Sequence, residues 1–304
     1  MKLKTLIEKR LNRYADEEPE RFILENKDKI ERFIENPNSV LLESLPMEYT
    51  ARFYILKHYQ LFWHKPSEES FRLVLDSLFY YYSSYIVFLS NLERKNETVI
   101  QIGLCSLFLG VLTFFEKKEA HVMMAILIER IEYNLRNDKY PMIYYQETLL
   151  QESMVMYDRF YKQDNSIYWT KYIKNQLNPI YSELIENICT DDEILFNKLI
   201  NNICDYHLSK SSSSSFLKNE FYYLEWQVFP TEIMVVLRYR FLNGKKIDFV
   251  SNDLVSRIVP FLSKDKFILS ENVEKFKNVL YDKYLPITLE YLKNFQFLSY
   301  PNIG

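Results

Sequence analysis

The sequence predicts an all-α fold, an irregular multi-helix bundle of antiparallel helices without a β-sheet. Glycine is scarce, with 4 residues, and proline is modest, with 10, in a chain of 304 residues. Apolar residues recur at helical spacing along most of the chain. A chain with so few turn residues favours long helices joined by short loops, because sheets need many turns. We expect a single helical domain over residues 1–304, with residues 1–64 as a candidate N-terminal helical subdomain.

Composition and charge narrow the class of protein. Hydrophobic residues make up 48% and charged residues 26%, values typical of a globular chain and not of a disordered one. The 25 Tyr and 22 Phe are expected to fill wide spaces between helices. Basic residues number 38 and acidic residues 41, a net charge of −3, so neither nucleic acid nor a membrane surface is predicted as a partner.

Cysteine usage and the N-terminus predict a cytoplasmic protein. The three cysteines, Cys105, Cys189 and Cys204, are too few and too irregularly spaced for a disulfide framework, so reduced thiols are expected. The first 18 residues are charged throughout and lack the apolar stretch of a signal peptide. The segment Ile102 to Phe115 spans 14 residues, short of the roughly 20 that cross a membrane. It is predicted to be a buried core helix, as is the segment 71–92.

In the first half of the chain, apolar spacing and end signals predict a series of helices. Pro19 suits the first turn of the second helix, and Pro46 opens the third. Ser67 is the expected N-cap of the fourth helix, which has acidic residues in its first turn. The apolar positions of the third helix are Tyr49, Phe53, Leu56, Tyr59 and Trp63. The predicted ranges are 2–14, 19–36, 46–63, 67–92, 98–116 and 120–136.

The second half continues the helical pattern around a polar tract. Thr190 and Glu193 are expected to form a capping box at a helix start. The serine-rich run 209–215 has nothing to bury, so a mobile loop is predicted there. Pro230 either kinks the following helix or marks a restart, and Gly244 is the expected stop. The predicted ranges are 145–161, 169–178, 179–189, 190–207, 221–242, 251–262, 270–281 and 285–292.

One pair of residues invites a metal interpretation. Cys204 and His207 are three residues apart and therefore neighbours on one helix face. No third or fourth ligand is suggested nearby. The favoured interpretation is a core thiol beside a histidine whose ring is packed and has one nitrogen bonded, so no metal ligand is predicted.

A second candidate metal motif is that of the terpene cyclases, which are also all-helical and of similar length. Their magnesium-binding signature is an Asp-Asp-x-x-Asp run, and the run 191–195, Asp-Asp-Glu-Ile-Leu, lacks the final aspartate. Asn178, Ser182 and Glu186 match the spacing of that family's second motif, but they precede the acidic run instead of following it far downstream. A solvated helix start rich in acids is the favoured interpretation, and no cofactor is predicted.

Catalytic signatures of other kinds are absent from the sequence. No Gly-x-Ser-x-Gly elbow occurs, and the glycines do not have the spacing of a phosphate loop. Arg238 and Arg240 lie among apolar residues and either pair with buried acids such as Glu225 or Glu232 or lie at the rim of the core. The rim, with packed stems and solvated heads, is the favoured interpretation. No catalytic residue is predicted, and the protein is not expected to be an enzyme.

An ordered series of features runs from Thr190 to Leu262, about a quarter of the chain. An acidic helix start leads to Phe196-Asn197, and His207 closes the helix. A variable polar loop and an apolar helix follow. After that helix come, in order, Gly244, Ile247, Phe249, and Ser251 before a further helix. This series resembles the immunity protein 49 family of bacterial polymorphic-toxin systems. The chain departs from that family in its Tyr, Phe and Lys content and in its serine tract, and its first half shows no matching motif.

The resemblance implies an all-helical, non-enzymatic protein encoded beside a secreted antibacterial toxin. Such a protein binds its cognate toxin in the cytoplasm of the producing cell and occludes the toxin's active site. If the toxin is basic, as nucleases usually are, Asp191, Asp192 and Glu193 are candidate contacts. Stabilisation of the helix dipole explains the same three acids equally well. The alternatives are a helical scaffold or adaptor with another protein partner and a helical metal-dependent enzyme. The oligomeric state is not predicted.

Overall fold

The structure, a computed structural model, describes residues 8, 20–91, 103–136, 147–173, 176–211, 220–221 and 223–293. The described residues form fourteen helices and no strand, which confirms the all-α prediction. Helices α1 to α14 span, in order, Glu20–Glu35, Ser44–His64, Glu68–Ser90, Leu104–Phe114, Lys117–Arg136, Glu147–Tyr161, Ser166–Trp169, Pro179–Glu186, Glu193–Lys210, Leu224–Val228, Thr231–Leu242, Val259–Leu262, Glu271–Lys283 and Leu285–Leu292.

The chain divides into two compact units. The single domain expected over residues 1–304 stays a prediction. The first unit comprises residues 1–99, 121–129 and 268–304, and the second comprises 100–120 and 130–267. Residues 1–64 belong to the first unit together with later segments, because α2 packs along α3 and α1 packs on α13. Apart from residue 8, the helix predicted over 2–14 lies outside the described residues.

The first unit is organised around α3. Ser67 caps this helix as predicted, and its hydroxyl accepts from the Ser70 amide at 3.1 Å. Helix α3 packs on α2, α13 and α14, and the rings of Phe33, Phe79 and Phe276 meet within the resulting core. By length and composition α3 is able to span a membrane, but 78% of its most apolar window is buried in the protein, as in the core helix of a soluble protein.

The orientation of α2 differs from the prediction. Tyr49 is 53% exposed and Phe53 is half-buried, whereas the apolar spacing predicts both on the core face. Ala51, Ile55 and Phe62 are buried instead, together with the correctly predicted Leu56, Tyr59 and Trp63. Apolar side chains lie all around α2, so spacing alone does not identify its buried side.

The second unit surrounds α4, every residue of which is buried, as predicted for this apolar segment. Helix α4 packs on α6 and α11, and α9 packs on α8 and α11. A methyl group added at Gly103, the N-cap of α4, would overlap the indole of Trp226, so glycine permits this close approach.

Local signals determine how α11 begins and ends. Pro230 marks a restart, because α10 ends at Val228 and α11 starts at Thr231. Gly244 has φ +73° and ends α11 in a Schellman motif: its amide donates to Phe241 O, and the Lys245 amide donates to Arg240 O. These contacts agree with the predicted stop at Gly244.

Three predicted segments differ from the structure. The helix expected over 251–262 is limited to Val259–Leu262, after a run of turns. The helix expected over 169–178 is replaced by the short Ser166–Trp169 helix and a turn. The serine-rich run begins inside α9, which extends to Lys210, and residues 212–215 lie outside the described part of the chain.

Candidate functional site

The three predicted contact residues, Asp191, Asp192 and Glu193, are exposed at the start of α9. Together with the exposed Ile194, they form a surface that we call the acidic rim. The expected capping box between Thr190 and Glu193 is wrong. Asp192 is the N-cap, since its carboxylate accepts from the Leu195 amide at 2.9 Å. The Thr190 hydroxyl instead accepts from the Asp192 amide at 3.2 Å. A carboxylate caps these amides better than a hydroxyl, because the helix start carries partial positive charge.

The three acids of the rim have different surroundings. Asp191 is 89% exposed at its side chain, and its carboxylate accepts from Lys245 Nζ at 2.6 Å. This hydrogen bond and the lysine charge lower the pKa of Asp191. Asp192 is held by its capping role, and Glu193 is exposed in the first turn of α9. The rim therefore has one acid paired with a lysine, one that caps the helix and one that is exposed in the first turn.

Buried Arg240 anchors the backbone beneath the rim. Its guanidinium donates to Ile188 O at 2.9 Å, to Thr190 O at 2.8 Å and to Lys246 O at 2.8 Å. The same group lies 4.1 Å from the centre of the Phe196 ring. The segment that carries the acids is thus tied to α11 and to the loop after it.

Within the described part of the chain, the two arginines of α11 donate to backbone carbonyls and not to buried acids, and neither is solvated. Arg240 is 2% exposed and Arg238 is 4% exposed, so the predicted position at the rim of the core is wrong. Arg238 donates to the carbonyls of Leu262, Lys264 and Asp265. Burial lowers the pKa of Arg238 to about 10, and its guanidinium stays charged at neutral pH. Each arginine holds a loop through backbone carbonyls, a role that residue types alone do not reveal.

Side-chain amides connect α9 to the loop that follows α11. Asn197 exchanges hydrogen bonds with Ser251, at 3.3 Å and 3.4 Å. Asn252 Nδ2 donates to Asn201 Oδ1 at 2.7 Å. Together with Arg240, these bonds hold the first turns of α9 in a fixed position.

Ile194 gives the acidic rim an apolar side chain. It is 86% exposed, directly after the acidic run. An exposed isoleucine gains free energy when a partner covers it. A rigid backbone, negative charge and a protruding apolar side chain are together suited to bind a basic protein surface with an apolar pocket.

The interior of the second unit holds a buried polar cluster that the sequence did not predict. His207 and Glu232 are 0% and 1% exposed, and His207 Nδ1 lies 2.6 Å from Glu232 Oε1. His207 Nε2 lies 3.1 Å from Gln227 O, which only accepts, so Nε2 carries a proton. His207 is in the core as expected, but both of its nitrogens are bonded instead of one. Its ring centre lies 4.1 Å from that of Phe221.

Further acids lie near this pair. Glu152 is 0% exposed, and neither of its carboxyl oxygens has a hydrogen-bond partner within the described part of the chain. Burial raises the pKa of Glu152 well above the ordinary value, and the negative charges of Glu232 and Glu220 raise it further. Glu220 is bonded to Tyr206 and Thr148, and burial raises its pKa as well. Glu152 is therefore expected to retain its proton well above pH 4.5.

Replacing Glu152 with glutamine is expected to raise stability relative to the parent protein at pH 8 more than at pH 4, because glutamine is also polar and buried but does not ionise. The pKa of Glu152 is higher in the folded protein than the unfolded value of 4.5, so its contribution to stability is full below that pH and is lost as pH rises through the folded pKa. Glutamine has no such loss. Urea denaturation at pH 4, 6 and 8 measures the difference in free energy of unfolding between the two proteins, which should be smallest at pH 4.

The matched control is Glu183→Gln, the same substitution at an exposed position of α8 in the same unit. It is expected to leave the pH profile of stability unchanged. A Glu152→Gln profile parallel to that of the parent protein would contradict the assignment of a retained proton.

The candidate metal ligands named from the sequence have structural roles. The Asn178 side chain accepts from the Ile180 amide at 3.1 Å and caps α8, and the Ser182 hydroxyl donates to Glu186 at 3.0 Å. Cys204 is buried, and burial raises the pKa of its thiol. Among the described residues, no group of three His, Cys, Asp or Glu side chains is arranged to hold a metal ion.

Comparisons of the chain with protein-family models, with curated proteins and with solved structures find no match. The resemblance of residues 190–262 to the immunity protein 49 family therefore stays a prediction.

Proposed function

We propose that this protein is a non-enzymatic immunity protein, which binds and neutralises a secreted antibacterial toxin in the cytoplasm of the producing cell. The toxin is encoded by the adjacent gene, and the helical body occludes its active site. The observation that carries the proposal is the acidic rim with Ile194 at its end. The resemblance of residues 190–262 to an immunity family supports the same proposal.

The chemistry of the rim specifies the partner surface. Asp191, Asp192 and Glu193 favour a basic surface, such as the substrate groove of a nuclease. Arg240 fixes the backbone below, so little conformational freedom is lost when a partner binds. Ile194 supplies an apolar anchor within the charged surface.

The experiment that tests the proposal is co-purification with the product of the adjacent gene, followed by titration of the two proteins. A one-to-one complex with nanomolar affinity, about −12 kcal/mol, is expected. Removing the gene from a strain that carries the toxin should abolish survival. Tight binding together with unchanged survival would favour the scaffold or adaptor function, and no binding would refute the proposal.

Replacing Ile194 with alanine is expected to weaken the complex by about 10- to 100-fold, since truncating an anchor at an interface costs roughly 1–3 kcal/mol. The side chain is 86% exposed, so thermal stability should not change. Titration calorimetry and a melting curve measure the two quantities on the same sample.

Ile167→Ala is the matched control, because Ile167 is 90% exposed in the same unit but lies outside the acidic rim. It is expected to leave the affinity unchanged. Equal losses in both variants would show that the rim is not the contact surface. Association should also slow as salt concentration rises, because the attraction between the rim and a basic partner is screened.

A further inference from the structure

A groove in the first unit lies between α1, α2, α3 and α13. Its volume is about 580 Å³, within the range of roughly 300–1,000 Å³ that small-molecule sites occupy. Apolar side chains such as Ile30, Met47 and Val273 line it together with a small number of polar groups. This mixture is typical of a site in which apolar contact gives affinity and a few polar groups fix orientation.

One wall of the groove is aromatic and uncharged. The rings of Tyr54 and His58 stack with centres 5.1 Å apart. His58 Nδ1 lies 3.0 Å from Leu73 O and 2.8 Å from Ser77 Oγ, and because the carbonyl only accepts, Nδ1 carries the proton. Burial lowers the pKa of His58 to about 4, so the ring is neutral at neutral pH. The wall therefore consists of aromatic rings and has no positive charge from His58.

Helix α3 contributes a nearly buried carboxyl group to the groove. Asp76 is 6% exposed, and its Oδ1 accepts from the Ser270 amide at 2.9 Å. Tyr80 lies beside it: burial raises the pKa of Tyr80, and the charges of Asp76 and Glu31 raise it further. Asp76 lines this part of the groove and gives it a negative potential, which favours a cation.

The two lysines of the groove do not cancel this potential. Lys27 pairs with Glu31 at 3.9 Å, and Lys275 pairs with Glu271 at 2.6 Å. Each ammonium is thus already opposite a carboxylate of its own helix. Arg72 also acts on Asp76 and lowers the pKa of its carboxyl group, but burial has the larger effect and raises that pKa.

An unused hydrogen-bonding group also lines the groove. Thr50 is 5% exposed, and its hydroxyl has no partner in the part of the chain that the structure describes. A buried hydroxyl without a partner costs free energy that a bound molecule recovers by bonding to it. This is an observation independent of charge, and it points to a ligand with a polar group.

We propose that this groove binds a small molecule in which a protonated primary amine is attached to an aromatic or aliphatic body. The ammonium lies at Asp76, where the carboxylate is its counter-ion. The apolar body lies against the rings of Tyr54 and Tyr80, which also attract the cation through their faces. The Thr50 hydroxyl bonds to a polar group of the ligand.

The experiment compares tyramine with tyrosol, which has a hydroxyl in place of the amine and otherwise the same skeleton. Titration calorimetry on the full chain near pH 7 is expected to give a dissociation constant below about 1 mM for tyramine and one at least about tenfold higher for tyrosol. The imidazole proton signals are few, because the chain has 4 histidines. The His58 signals should shift with tyramine, which places the ligand in this groove.

Two variants test the assigned contacts. Asp76→Asn keeps the acceptor for the Ser270 amide but removes the charge, and it should weaken tyramine binding at least about tenfold. Asp282→Asn makes the same change at an exposed position of α13 outside the groove and should have no effect. Thr50→Val keeps the shape of the side chain and should weaken binding several-fold.

Several outcomes would overturn the proposal. These are no detectable binding of tyramine, equal affinity for tyramine and tyrosol, unmoved His58 signals, or equal affinity in the Asp76→Asn and Asp282→Asn proteins. The comparison of the two ligands uses the unchanged protein, so it stands even if a variant does not fold.

Discussion

Replacing Arg240 with alanine is expected to lower the free energy of unfolding by about 3–5 kcal/mol. The substitution removes three charged hydrogen bonds, to the carbonyls of Ile188, Thr190 and Lys246. It also removes the contact with the Phe196 ring and leaves a cavity at a position that is 2% exposed. Chemical denaturation with linear extrapolation measures the loss.

Two further variants separate charge from geometry. Arg240→Lys keeps the positive charge near Asp191 and Glu193 but cannot reach three carbonyls at once, so it should lose at least half as much stability as alanine. Arg257→Ala makes the alanine substitution at an exposed arginine of the same unit and should change stability by about 0.5 kcal/mol or less. Full stability in the lysine variant would show that charge alone accounts for the anchor.

The same substitution should loosen the acidic rim. Amide hydrogen exchange in residues 187–194 is expected to accelerate in Arg240→Ala more than exchange in α4, because only the former depends directly on the guanidinium. Partner affinity should fall as well, since a mobile rim must be ordered on binding.

Features that depend on a few neighbouring residues were predictable from the sequence. The Ser67 cap, the restart after Pro230 and the stop at Gly244 each involve contacts within five residues along the chain. Their physical causes are the free amides of a first turn, the fixed φ of proline and the left-handed conformation of glycine. The choice of Asp192 over Thr190 as N-cap shows the limit, because both residue types are common N-caps and the preference for aspartate over threonine is small.

Contacts between distant residues were not predictable. Arg240 donates to carbonyls about fifty positions away, and every residue has a carbonyl, so no residue type marks the acceptor. The groove residues Thr50 and Asp76 are ordinary helix positions until α1 and α13 pack beside them. In α2, exposed Tyr49 looks like a core residue, because aromatic side chains satisfy the apolar pattern on either side.

Replacing Glu232 with leucine is expected to lower the free energy of unfolding by about 3–5 kcal/mol, because it leaves His207 buried without its partner at Nδ1. Asp205→Leu, the same kind of change at an exposed position of α9, should alter stability by about 0.5 kcal/mol or less. Urea denaturation of both variants at neutral pH measures the two changes.

The pair is isolated by a double-mutant cycle with His207→Leu and Glu232→Leu. Each single variant leaves one polar group in the core without its partner, whereas the double variant removes both groups and fills their space with apolar side chains. The double variant should therefore lose less stability than the sum of the single losses, with a coupling of about 2 kcal/mol. Additive losses would mean that His207 is held mainly by Gln227 O and the Phe221 ring, and that the 2.6 Å contact contributes little. Strong coupling would identify this pair as a specific link between α9, which begins at the acidic rim, and α11, which carries Arg240.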